Sequence, residues 1–99
     1  MGEDGHTASL FPNHPLLQEE RRLIAPISDS PKPPSNRVTF TFPLIVSARE
    51  IAFVAGGAGK IDAMEWIFKQ KRQDIPAAIV LQKRPDTVFF TDKKAAAKL

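Results

Sequence analysis

Hydrophobic residues along the chain recur in short blocks separated by glycine, proline and polar clusters, and the spacing inside each block predicts its element. Asn13 to Arg22 allows a helical turn or two, with Asn13 as a cap and Pro15 in the first turn. Leu23 to Ile27 is a short apolar strand. Ser28 to Asn36, rich in proline and serine, reads as a surface loop and not as a linker, because the flanks on both sides are alike and too short to be domains. Val38 to Phe42 alternates threonine with apolar residues, a strand pattern; Pro43 then opens a helix over Leu44 to Glu50.

Ile51 to Ala55 is continuously apolar, as in a strand covered on both faces. Gly56-Gly57-Ala58-Gly59 follows, and from Lys60 to about Arg72 the apolar positions Ile61, Met64, Ile67 and Phe68 fall on one helical stripe. Met64 and Trp66 read as packing residues of that helix. Ala77 to Leu81 and Thr87 to Thr91 are predicted as two further strands, and Asp92 as the cap of a final helix through Leu99. Alternating strands and helices predict an open, mainly parallel α/β sheet with flanking helices, and such sheets bind ligands beyond the carboxyl ends of their strands. Residues 1–99 are read as part of one domain.

Composition narrows the class. At 99 residues, with 42% hydrophobic and 25% charged residues, the chain is globular in character, although nine prolines and no tyrosine are unusual. No apolar run approaches the ~20 residues of a membrane span, no signal-like pattern opens the chain, and cysteine is absent, so no membrane partner is expected and a cytoplasmic location is the simplest reading. The net charge of +3 and the pI near 9.5 raise nucleic acid as a partner. The basic residues are scattered as Arg21-Arg22, Lys69 to Arg72, Lys83-Arg84 and Lys93-Lys94, without interleaved aromatic platforms, so no nucleic-acid partner is expected.

The candidate chemistry lies at the start: Met1-Gly2-Glu3-Asp4-Gly5-His6-Thr7-Ala8-Ser9-Leu10-Phe11-Pro12. Two glycines bracket an acidic pair, and a histidine follows, which makes a shaped loop able to bring backbone N–H groups close to a ligand. His6 can act as a general base near neutral pH, and Asp4 can either hold one imidazole tautomer or shape the turn. His14 lacks partners at metal-ligand spacing and reads as an exposed or capping residue. No metal and no cofactor are expected. Ser9 is not a convincing nucleophile, because Gly-x-Ser-x-Gly is missing. Gly59-Lys60 is no phosphate-binding P-loop either: Val54 stands where glycine is needed, and Ile61 where Ser or Thr is needed.

The opening stretch resembles the Gly-Met-Gly-x-Asp-Gly-His-Thr-x-Ser-x-Phe-Pro signature of the 6-phosphogluconolactonase family, entered at its methionine. Ser28-Asp29-Ser30-Pro31-Lys32-Pro33-Pro34, Arg37 to Pro43, Ser47-Ala48-Arg49, Gly59-Lys60 and Ile75-Pro76-Ala77-Ala78 occur in the order that family shows. The resemblance implies a Rossmann-like fold, shared with the glucosamine-6-phosphate deaminases. It also implies hydrolysis of 6-phospho-D-glucono-1,5-lactone to 6-phospho-D-gluconate in the oxidative branch of the pentose phosphate pathway, with a small sugar-phosphate lactone as partner and a monomeric full-length form. His6 and Asp4 would be catalytic. Gly5, Thr7, Arg37 and Lys60 would bind substrate, the last two at its phosphate.

A deaminase would need an acidic residue where Phe11 stands, so the lactonase is favoured. The resemblance covers less than half of the family's domain and assigns the chain to its C-terminal portion. Such a portion alone is expected to self-associate or fold poorly and to be nearly inactive, because strand edges and an apolar face lose their cover. The alternative reading is a non-catalytic remnant with an anion-binding surface.

Overall fold

A computed structural model describes residues 1–99. Its strands pair locally. β1 (Ile24–Ile27) runs antiparallel to β2 (Arg37–Phe40), with Ile24 opposite Phe40 and Ile27 opposite Arg37. β3 (Ala52–Ala55) runs parallel to β4 (Val88–Thr91), with Ala52 opposite Val88 and Ala55 opposite Thr91. The single mainly parallel sheet expected from the sequence is therefore replaced by two two-stranded sheets, one of each sense. The sense of each pair follows from connection chemistry: residues 28–36 contain no helix to carry the chain back across a sheet, so β1 and β2 can only pair antiparallel, whereas two helices separate β3 from β4.

Between the sheets lies α1 (Phe42–Val46). It begins earlier than the proline suggested, with Thr41 as cap, and it ends at Val46, where its last carbonyls are taken by side chains: Ser47 Oγ donates to Leu44 O (2.6 Å) and Arg84 to Val46 O (2.8 Å). After β3, a 3-10 turn (Ala58–Lys60) leads into α2 (Ile61–Phe68). This helix ends before Arg72, where Lys71 adopts φ +49° and the Arg72 N–H reaches back to Trp66 O (3.1 Å), a left-handed closure.

The segment predicted as a strand over Ala77 to Leu81 is a helix, α3 (Pro76–Lys83). Pro76 is preorganised for a first helical turn, and Ala77 and Ala78 have the highest helix propensity of any residue. A short apolar run does not by itself separate buried strand from buried helix, and tertiary packing decides for helix here. Ala77 and Ala78 are fully buried, so their small side chains let α3 press directly on the opening loop. The final helix expected from Asp92 is a series of turns; Asp92 still accepts the Ala95 N–H (2.8 Å).

The core runs between the two sheets, through Leu10, Phe11, Ala25, Ile27, Phe42, Phe53, Ile75 and Val80; Met64 fills a smaller cluster with Ala55 and Ala95. The radius of gyration, 13.1 Å, matches the about 13 Å of a folded domain of this length. Only one face of each sheet is closed. Val38 (73% exposed) and Val54 (78% exposed) mark the outer faces, with Ile24, Phe40, Val88 and Phe90 beside them. No helix is long and apolar enough to cross a membrane.

Candidate active site

Residues 2–6 close on themselves: the Gly2 N–H donates to His6 O (2.9 Å) and the Gly5 N–H to Gly2 O (3.0 Å). Both glycines are sterically required. A Cβ on Gly2 would lie 2.1 Å from the His6 ring, and one on Gly5, which has φ +81°, would lie 2.3 Å from Ile75 Cγ2. Gly5 O accepts the Ala77 N–H (3.0 Å), which docks the loop on the first turn of α3. Leu10 and Phe11 then anchor the loop in the core, and the His6 ring rests on Phe11 at a centroid distance of 4.6 Å.

Within this ring the same oxygen of Asp4 meets His6 twice. Oδ1 accepts the His6 backbone N–H (3.1 Å) and lies 2.5 Å from Nδ1, so Asp4 both shapes the turn and orients the imidazole. Burial works to raise the Asp4 carboxyl. The His6 N–H, the His6 ring and the Lys32 ammonium outweigh it and hold the group below its ordinary value. An ionised carboxylate only accepts, so the proton of this bond belongs to Nδ1, and in the neutral ring Nε2 carries the lone pair. Nε2 has no partner, and no buried side-chain nitrogen or oxygen is unpartnered, so Nε2 opens to solvent.

The other expected site residues fall around this pair with different degrees of freedom. Thr7 bridges to Leu10 through its backbone, leaving its hydroxyl without a hydrogen bond. Both backbone polar groups of Gly5 are used inside the fold, so its expected contact with substrate has only the resemblance behind it. Lys60, at the start of α2, makes no ion pair. Its loop meets the first one, for the Glu3 carboxylate sits where a Cβ on Gly59 would be 2.4 Å away. The neighbouring glycine turn is held by Asp92, whose two oxygens take the Gly57 N–H at 3.1 and 3.0 Å.

Arg37 departs from expectation. In place of an open bidentate fork for phosphate, its donors grip the proline loop: Nε donates to Pro34 O (3.0 Å), Nη2 to Lys32 O and Pro33 O (3.0 Å each), and Nη1 to Ser9 Oγ (3.3 Å). The guanidinium also lies 5.4 Å from the centroid of Phe11, the same ring that His6 rests on. Carbonyl groups directed at one side chain from three successive residues cannot be read from spacing. Their consequence was missed as well: the grip places Lys32 Nζ 3.9 Å from Asp4 Oδ1. The one sequence signal for Lys32 was its place in the Ser28 to Pro34 stretch.

His14 completes the frame of this loop. It, and not Asn13, caps the 3-10 turn Pro15–Gln18: its Nδ1 accepts the Leu16 N–H (3.1 Å) and its Nε2 donates to Asp29 (2.8 Å). No three His, Cys, Asp or Glu side chains gather as metal ligands. Four surface cavities of about 300 to 440 Å³ exist, none of them lined by His6. The His6–Asp4 pair thus stands outside all four cavities, with Nε2 open to solvent.

Known proteins share this arrangement of chain. A relative named 6-phosphogluconolactonase from Homo sapiens is 49% identical over 100 residues, covering all of this chain and 39% of its own. The chloroplastic 6-phosphogluconolactonase 3 of Arabidopsis thaliana is 48% identical, with 30% of its length covered. The solved 6-phosphogluconolactonase of Trypanosoma brucei superposes with a TM-score of 0.80 at 31% identity, covering all of this chain and 40% of that one. The chain thus spans well under half the length of the relatives it matches. That coverage corrects the expectation of a C-terminal portion to a coarser statement, a part of the domain's length. The match to the family described as glucosamine-6-phosphate isomerases/6-phosphogluconolactonase extends over residues 1–89, and the chain belongs to that family.

Proposed function

We propose that this chain carries the general-base segment of a 6-phosphogluconolactonase, acting on 6-phospho-D-glucono-1,5-lactone within a single domain of which residues 1–99 are a part. The observation behind this reading is the 2.5 Å Asp4–His6 pair with Nε2 open to solvent. Nε2 takes a proton from water as its oxygen attacks the lactone carbonyl, giving a tetrahedral oxyanion and an imidazolium. The ring C–O bond then breaks, and the departing oxygen takes the proton back, leaving a neutral imidazole and the hydroxy acid, whose carboxyl proton passes to solvent to give 6-phosphogluconate. Asp4 supports both states, first fixing the tautomer and then facing the positive ring. The backbone N–H groups of Glu3, Asp4 and Ala8 have no acceptor and are the candidates for facing the oxyanion.

For the 6-phosphate, Lys60 is the unpaired cation at a helix start, where free N–H groups also favour anions. Arg37 contributes by holding the loop beside the site. Thr7 supplies a free hydroxyl. A location in the cytoplasm fits this reading. The second reading, an anion-binding remnant without turnover, is favoured by one observation, the absence of His6 from every cavity.

Lactone hydrolysis followed at neutral pH, against the spontaneous rate, separates the two. Turnover that His6→Gln removes supports the lactonase. Binding of 6-phosphogluconate with hydrolysis at the spontaneous rate supports the remnant.

A further inference from the structure

Lys32 has no assigned role, yet it is the cation nearest the His6–Asp4 pair. Its position is built and not incidental. The β1–β2 loop is fastened at one end by His14 on Asp29 (2.8 Å) and at the other by Arg37, which takes the carbonyls of Lys32, Pro33 and Pro34. Between these, Ser30 Oγ donates to Lys32 O (2.7 Å) and accepts the Lys32 N–H (3.3 Å), fixing the lysine's own backbone on both sides. The side chain leaves this rigid base and ends 3.9 Å from Asp4 Oδ1, the oxygen that also holds His6.

We propose that Lys32 is a positioning residue for the His6–Asp4 pair, and that Arg37 acts through Lys32 by clamping the loop that carries it. An ammonium beside the shared carboxylate adds to the charge that holds Asp4 ionised and helps fix Oδ1 where it meets the His6 Nδ1. The charged groups facing Asp4 and His6 are Lys32 from the β1–β2 loop and, across the Phe11 ring, Arg37 from β2. The inference rests on the reading of His6 as the base, but its test needs no substrate, so a failure of hydrolysis would not be mistaken for a failure here.

The test is an NMR acid titration of the 99-residue chain, following the Asp4 carboxyl carbon and the imidazole nitrogens. Only two histidines are present, so each is resolved. Lys32→Met should move the Asp4 midpoint upward by about 0.2 to 0.7 pH unit, the range expected for an exposed ion pair, while leaving the His14 signals in place. Lys32→Arg should restore the midpoint. Arg37→Lys, which keeps the charge but loses the fork, should give the same upward shift, and the double variant with Lys32→Met should go no further. An unchanged Asp4 midpoint in Lys32→Met would overturn the role of Lys32. An additive shift in the double variant would overturn the route through the clamp.

Discussion

His6 and His14 each place a ring nitrogen on an aspartate, at 2.5 and 2.8 Å, and the two sites do different things with that bond. At His14 both nitrogens are engaged, Nδ1 by the Leu16 N–H and Nε2 by Asp29, so the ring is a strut between a helical turn and the proline loop. At His6 only Nδ1 is engaged, and the other nitrogen faces outward. An Asp–His contact leaves a nitrogen available to a ligand or solvent only where the second ring nitrogen has no partner of its own. What leaves it free is the tight ring of residues 2–6, which uses the backbone and not the second nitrogen to hold the imidazole.

The largest effect expected from breaking this contrast is on turnover. Replacing His6 by Gln should lower lactone hydrolysis by about 10²–10⁴-fold, the usual contribution of a general base, with the circular dichroism spectrum unchanged. His14→Gln should leave the chemical step within a few-fold; equal losses in the two variants would erase the distinction. Next is Gly5→Ala, where a methyl group at φ +81° meets Ile75: a loss of about 1–3 kcal/mol in denaturant unfolding is expected, with the His6 loop distorted. His14→Ala removes the acceptor for Leu16 and the tie to Asp29, and should lose about 1 kcal/mol, a typical cap.

The smallest effect concerns acid. The Asp4 carboxyl is held below its ordinary 3.8, so the stability it contributes is present above that value and is lost as the pH falls through the lowered one. Asp29 is lowered too, chiefly by the His14 hydrogen bond, and its contribution fades in the same window. Unfolding followed from pH 5 down to pH 2 should therefore be less steep in Asp4→Asn than in the parent chain. Equal slopes would mean that the Asp4–His6 bond adds nothing to the fold.

Much of this was legible in the residues. The strands at Leu23 to Ile27, Ile51 to Ala55 and Thr87 to Thr91 lie within a residue of β1, β3 and β4, because short apolar blocks between turn formers leave few alternatives. The Asp4–His6 spacing was also visible, since it is a contact between near neighbours, whereas the cap of the first turn is His14, left open between an exposed and a capping role, and not the expected Asn13. Residues 77–81 were misread because Ala-Ala-Ile-Val-Leu suits either element, and its burial against Gly5 and the core decides between them.

The amino-acid order alone determined the local pieces: where strands and turns begin, that Gly2 and Gly5 bend the first loop, and that an imidazole follows an aspartate there. Tertiary structure decided the pairing of strands into two sheets, the use of Arg37 as a clamp and the arrival of Lys32 at Asp4. The division follows from range. Propensity, turn geometry and nearest-neighbour hydrogen bonds are set by residues a few positions apart, whereas which carbonyl a guanidinium meets depends on how distant segments pack around Phe11.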